Sequence, residues 1–435
     1  MTITPRPAAS SSADPLPATD DGTHIDAPDL RLFVFALFFM FGGVTSLNDV
    51  IIPKLKELFT LSYFQAMLVQ SAFFAAYFLV SIPAAAIVRK AGYMRSAAIG
   101  LVTMTAGCLL FIPASAQATF GLFLFALFVL ASGITIVQVV ANPLIALLGP
   151  PRTAPSRLTF AQAFNSLGTT IFPYVGSILI LGSLATIDPA TLTGAALDAY
   201  RAQETRVVVH TYLGLAAALL LIAAVVWSRR NRLRERQDQG GSILHAFDLL
   251  RRPRFGLGAL CIFLYVGAEV AIGSLIVSYL MQGDVLGLGE QAAGKHVPLY
   301  WGGALVGRFI GAAVLRLLSP GKVLTGVAAG AIALILLSAN ATGVVAGYAL
   351  LAIGLMNSIM FPTIFTLASE GLGTRTAEGS GVLCVAIVGG AIVPPLTGHL
   401  ADISGSLAFA LTLPALCYGV IAGFGLYARH PLAKA

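Results

Sequence analysis

"ASGITIVQVVANPLIALLG", residues 131–149, can be laid beside "AIGLMNSIMFPTIFTLASEGLG", residues 352–373, so that Gly133 pairs with Gly354 and Pro143 falls close to Pro362. Further along, "SLGTTIFP" (166–173) aligns with "IVGGAIVP" (387–394), pairing Gly168 with Gly389 and Pro173 with Pro394. The Gly133, Gly168 and Pro173 pairs share one offset, about half the chain. Weak internal symmetry of this kind is the trace left by a duplicated half in a secondary transporter, whose site lies at mid-membrane between two rocking bundles.

Outward from the repeat, composition agrees. Of 435 residues, 57% are hydrophobic and 10% charged, with a mean hydropathy of +0.87, far from a soluble domain. A helix needs about 20 apolar residues to span hydrocarbon. Such stretches lie at 31–52, 66–88, 95–114, 120–148, 158–181, 208–229, 256–281, 297–318, 322–339, 342–369, 378–400 and 406–428. Barrel strands would alternate over much shorter runs. The expected fold is an all-α membrane protein with twelve transmembrane helices in two pseudo-symmetric six-helix bundles, the major facilitator architecture. Its expected divisions are a disordered tail (1–30), a first bundle (31–229), a basic linker (230–255), a second bundle (256–428) and a short tail (429–435). The head is too polar to pack and lacks the pattern of a signal peptide.

The formal charge of +7 invites a nucleic-acid reading, but its distribution excludes one. Of the 26 Lys and Arg residues, Lys54, Lys56, Arg201, Arg206 and Lys295 fall on one side, Arg308 lies within a helix, and all others share the side of the two termini. Positive charge marks the cytoplasmic face, so both termini are expected there. The clusters "RRNRLRERQ" (229–237) and "RRPR" (251–254) read as topogenic charge beside lipid headgroups. Cys108, Cys261, Cys384 and Cys417 sit singly in apolar spans and read as packing residues. No HExxH, Walker loop or Cys/His pair appears, so neither an enzyme, a metal site nor an organic cofactor is expected.

Polar side chains at membrane depth are costly and mark function by default. The first helix carries Thr45, Asn48 and Asp49. Gln138 and Asn142 share a face of the fourth, and Gln162, Asn165 and Thr169 share a face of the fifth. In the second half stand Tyr265 and Glu269, Trp301, Arg308 and Asn357. Amides offer both donors and acceptors, and aromatic faces cover apolar ring surfaces, a set suited to sugar hydroxyls. Asp49 adds a group able to take up and release a proton as its exposure alternates.

Plainer readings stand beside these. Asn142 would satisfy the carbonyl freed by Pro143, and Gln162 and Asn165 would join helices. Asp49 would be solvated beside Lys54 and Lys56, Glu269 would pair with Arg308, and Trp301 would belong to an interfacial belt. A sensor on the same fold is disfavoured by the small head and tail. Among carriers, one for amino acids or drugs is the runner-up.

At these residues the chain resembles a known family. "LNDVIIPKLKELFTLSYFQAMLVQSAFFAAYFLVSIPA", "ANPLIALLGP" and "RLTFAQAFNSLGT" are similar to the fucose-galactose-glucose:proton symporter family of the major facilitator superfamily. "FVLASGITIVQVVANP", "FLYVGAEVAIGSLIV", "YWGGALVGRFIGAAVL" and "GSGVLCVAIVGGAIVPPL" resemble its bacterial glucose/galactose branch. The resemblance spans roughly 31–428 and implies hexose symport by a monomer in the bacterial inner membrane, with surrounding lipid and a small sugar as its partners. It assigns proton coupling to Asp49 through "LND". It also exposes departures. Gln138 replaces a second carboxylate of the family, Glu269 stands where the fucose branch carries an amide, and the loop "IVRKAGYMR" (87–95) keeps its bases and Gly92 but lacks the usual Asp. Coupling to H+ is preferred and Na+ is the alternative, since oxygen-rich sites also suit hard cations. Fucose or an amino sugar remains the alternative substrate.

Overall fold

A computed structural model describes residues 28–58, 63–117, 119–176, 193–231 and 243–430. The first six helices are α1 (Pro28–Leu58), α2 (Tyr63–Ala91), α3 (Tyr93–Ala116), α4 (Phe120–Leu147), α5 (Ala154–Gly176) and α6 (Ala195–Ser228). The second half holds α7 (Pro253–Met281), the short α8 (Glu290–Gly294), α9 (Val297–Leu317) and α10 (Pro320–Asn340). It continues with α11 (Gly343–Asn357), α12 (Met360–Ser369), α13 (Thr376–Val385), α14 (Gly389–Ser404), the short α15 (Leu407–Ala410) and α16 (Thr412–Tyr427). Among the described residues, 11 helical stretches are long and apolar enough to cross a membrane. The remaining long helix is α5, made more polar by Arg157, Gln162, Asn165 and its neighbouring hydroxyls.

Three expected spans are interrupted, 406–428 only at Leu411 between α15 and α16. The stretch 342–369 divides into α11 and α12, with Ser358 and Ile359 between them. Pro362 is the cause: it has no N–H for the carbonyl of Ser358, and its ring crowds that oxygen. The stretch 378–400 likewise divides into α13 and α14, with a 3-10 turn over Ala386–Val388. The connection between α2 and α3 is only Gly92, whose φ of 82° lies in the left-handed region open to glycine.

The repeated glycines explain themselves here. A methyl on Gly168 of α5 would enter the carbonyl of Phe39 on α1, and one on Gly389 of α14 would enter the carbonyl of Phe263 on α7. Gly133 meets the backbone of Met104 on α3, and Gly354 that of Tyr300 on α9. The Gly168/Gly389 pair therefore marks one packing relation built twice, whereas Gly133 packs on the third span and Gly354 on the eighth, the counterpart of the second. Lipid removes the ordinary hydrophobic drive between helices, so association depends on such backbone approach.

The sequence "RRPR" is not only topogenic charge. Arg254 is buried, and its Nε donates to Leu367 O at 3.0 Å and its Nη1 to His430 O at 2.9 Å, while Nη2 meets Glu370. In the first half Arg31 Nε reaches Leu148 O at 3.0 Å. Arg157 donates to the carbonyls of Ile145, Ala146, Gly149 and Pro150. These arginines satisfy and electrically complement the carboxyl ends of α4 and α12. The bases at 232, 234 and 236, residues 1–27 and residues 431–435 lie outside the described residues.

Candidate functional site

The two halves meet at the end of the molecule that carries the termini. Ser156 Oγ of α5 donates to Ala312 O of α9 at 2.6 Å and accepts from Arg316 Nε at 3.2 Å. Ser380 Oγ of α13 donates to Val139 O of α4 at 2.9 Å. Val139 is four residues before Pro143, so its carbonyl is the one the proline leaves without an amide. Arg89 of α2 pairs with Glu378 of α13. Glu378 also accepts from Arg375 Nε at 2.8 Å, and Arg375 reaches Asp248 Oδ1 at 2.6 Å in the 3-10 helix Ile243–Arg251. Thus a base in the last turn of α2 finds its carboxylate on the opposite half. The Arg375 hydrogen bond holds the Asp248 carboxyl below its ordinary value.

Deeper in the molecule, Arg308 of α9 ties the halves together. It donates from Nε to Ser358 O at 3.3 Å and from Nη1 to Gln162 O at 3.3 Å, and it contacts Ser166 Oγ. Ser358 O is the carbonyl left bare by Pro362, so the arginine fills a backbone vacancy in its own half and reaches across to α5.

Beside it lies a tyrosine-lined carboxylate. Glu269 is half-buried, and Tyr265 Oη lies 2.7 Å from its Oε1 and 3.0 Å from Asn357 O. Tyr300 Oη donates to the Glu269 backbone carbonyl at 3.2 Å and accepts from Asn357 Nδ2 at 2.7 Å. Tyr265, Tyr300 and Asn357 are all buried. Among the described residues no ion pair joins Glu269 to Arg308, so that simple pairing gives way to a hydroxyl network. Tyr300, Ser166 and Ser358 were the members least legible beforehand, although Pro362 pointed to the carbonyl at Ser358.

The other candidates divide. Gln138 is buried and accepts from Tyr77 Oη at 2.8 Å. Asn142 is 0% exposed, and neither side-chain atom has a hydrogen-bond partner among the described residues. It therefore does not repair the Pro143 defect, which Ser380 fills. Gln162 is buried. Asn165 Nδ2 donates to Phe38 O of α1 at 3.4 Å, the interhelical role. Thr169 Oγ1 donates to Ser166 O within its own helix at 2.8 Å, and Thr45 Oγ1 does the same to Phe41 O at 2.7 Å. Trp301 is 45% exposed and meets Tyr300 edge-on at 5.1 Å, outside the hydrogen-bonded cluster. Asn48 and Asp49 fall on α1, but their side chains lie outside the described residues.

The family profile of the Major Facilitator Superfamily matches residues 34–386. A protein named glucose/galactose transporter, from Brucella abortus, is 46% identical over 414 residues, covering 94% of this chain and 97% of the relative. The L-fucose-proton symporter of Escherichia coli is 33% identical over 396 residues, covering 89% of this chain and 90% of the relative. A crystal structure of the transporter FucP in the outward conformation superposes with a TM-score of 0.84 at 32% identity, over 92% of this chain and 98% of that one. With two bundles related by a repeat, a polar centre and these matches, the chain belongs to the Major Facilitator Superfamily and is a multi-pass inner-membrane transporter rather than an enzyme.

Proposed function

We propose that this protein takes up a neutral hexose, glucose or galactose, by proton-coupled symport through alternating access. The observation that carries the reading is the half-buried Glu269, held among tyrosines next to the Arg308 bridge between halves. A titratable carboxylate beside an inter-half contact is what coupling a proton to a rocking motion requires. The names of the Brucella and Escherichia relatives support sugar as the cargo and the proton as the driving ion. Asp49 is the second coupling group, through its "LND" setting. The hexose would contact Asn48, Gln138, Asn142, Gln162 and Asn165 from the first half, with Trp301 from the second. Positive charge on the terminal side supports cytoplasmic termini, and in that orientation the observed contacts close the inner end.

Labelled glucose and galactose uptake into proteoliposomes, under an imposed proton gradient or sodium gradient separately, tests this. Accumulation driven by protons is the expected result. Sodium-driven accumulation would recast the carboxylates as cation ligands, and no accumulation of either sugar would remove the substrate reading.

A further inference from the structure

The Tyr265 hydroxyl faces two acceptors and owns one hydrogen. Glu269 Oε1 is 2.7 Å away and Asn357 O is 3.0 Å away, yet a phenol donates only once. Tyr300 spends its hydrogen on the Glu269 carbonyl and its lone pair on Asn357 Nδ2, so the positions of Glu269 and Asn357 are fixed relative to each other. Asn357 is the last residue of α11. The next carbonyl along, Ser358 O, is the one held by Arg308, whose other donors reach Gln162 and Ser166 on the opposite half. The charged and titratable groups facing Glu269 are Tyr265 on its own helix, Tyr300 and Arg308 of α9, and Tyr418 of α16.

We propose that Tyr265 is a positioning residue that works as a two-way switch, reporting the protonation of Glu269 to the α11–α12 break and through Arg308 to the contact between halves. It rests on the proton-coupled reading above. With Glu269 ionised, Tyr265 O–H points to the carboxylate and the buried Asn357 carbonyl has no hydroxyl donor. When Glu269 takes a proton, its own O–H donates to Tyr265 Oη, and Tyr265 O–H turns to Asn357 O. Only the Glu269 O–H bond is made; the rest is rotation. Only the protonated arrangement satisfies both distances with two separate hydrogen bonds; the ionised one must share a single hydrogen between them. Losing the hydroxyl donor of a buried carbonyl beside the break is costly, so protonation favours the state in which the terminal end is closed, and deprotonation loosens it.

The test uses the full-length protein in lipid nanodiscs without sugar, with spin labels at Arg152 and Lys322, exposed positions on the two halves at the closing end. The four native cysteines are buried. Acidification is expected to shift the distance distribution toward the closed population by about tenfold. Tyr265→Phe should flatten that pH profile to no more than about twofold, while infrared difference spectra still show a carboxyl being protonated. Glu269→Gln, which is neutral at every pH, should remove the Glu269 part of that carboxyl signal and flatten the pH profile as far as Tyr265→Phe does, leaving only what Asp49 and the Arg89–Glu378 pair contribute. A wild-type profile in Tyr265→Phe, a wild-type pH profile in Glu269→Gln, or a wild-type protein with no pH response would each overturn the proposal. Because no sugar is present, a failure of the hexose or driving-ion assignment in the uptake assay is recorded separately.

Discussion

The two halves meet the same backbone defect and repair it differently. Pro143 in α4 and Pro362 in α12 each remove the amide that would have served a carbonyl four residues earlier. In α4 that carbonyl, Val139 O, is served by Ser380 of the other half, and the helix runs unbroken to Leu147. In the second half Ser358 O is served by Arg308 of the same half, and the rod breaks into α11 and α12. A repair made across the interface is lost when that interface parts, whereas a repair within one half travels with it. The first half is therefore stabilised in the present state, and the second keeps its break in both.

The largest effect is expected from removing the second repair. Arg308→Ala leaves Ser358 O, Gln162 O and Ser166 Oγ without their shared donor, and hydrogen bonds to a charged group contribute about 1.5–3 kcal/mol. Thermal unfolding should register a loss of that size, with uptake reduced to background. Arg308→Lys should recover little, because a point charge cannot supply the forked donors. Unchanged stability and uptake in Arg308→Ala would erase the contrast between the halves.

Next come the glycine approaches, which the repeat makes equivalent. Gly168→Val and Gly389→Val should each cost about 1–3 kcal/mol by overpacking, and by similar amounts, since each drives a side chain into a partner carbonyl. A large difference between them in thermal unfolding would show that the symmetry is not carried into packing.

A smaller change is expected at the other repair. Ser380→Ala removes one neutral hydrogen bond, about 1 kcal/mol, from the closed state only. Alkylation of a cysteine placed at Thr159, buried where α5 meets α9 of the other half, should quicken about fivefold, while overall unfolding changes little. Equal slowing or no change in labelling would place Val139 O outside the closing mechanism.

The smallest effect concerns the strap Ile243–Arg251. Arg375 depresses the Asp248 carboxyl, so the tie is fully present above the ordinary carboxylate range and is lost as pH falls through the lowered value. Protection from hydrogen exchange across 243–251, taken relative to the intrinsic rate at each pH, should fall on strong acidification, and Asp248→Asn should show low protection at neutral pH with no further change. The ion pair is partly exposed and screened, which keeps the effect small.

Much of this was legible without coordinates. Long apolar runs, the clustered bases and the Gly133/Gly354 and Gly168/Gly389 pairs follow from the cost of leaving backbone or charge in hydrocarbon, a constraint each segment meets by itself. For that reason the sequence alone determined the helical class, the duplicated architecture and the list of polar residues that merit attention. It did not determine what those residues touch. Asn142, Glu269 and Arg308 each had an obvious local partner, and the structure gives them others or none, because a buried polar atom takes whichever partner the packing of distant helices brings within 3 Å or so. Tertiary structure decided that Ser380 would repair Pro143, that Arg308 would span from Ser358 to Gln162, and that one Tyr265 hydrogen would face two acceptors. Hydrogen bonds are short-ranged and directional, so such choices exist only once helices far apart in the chain have met.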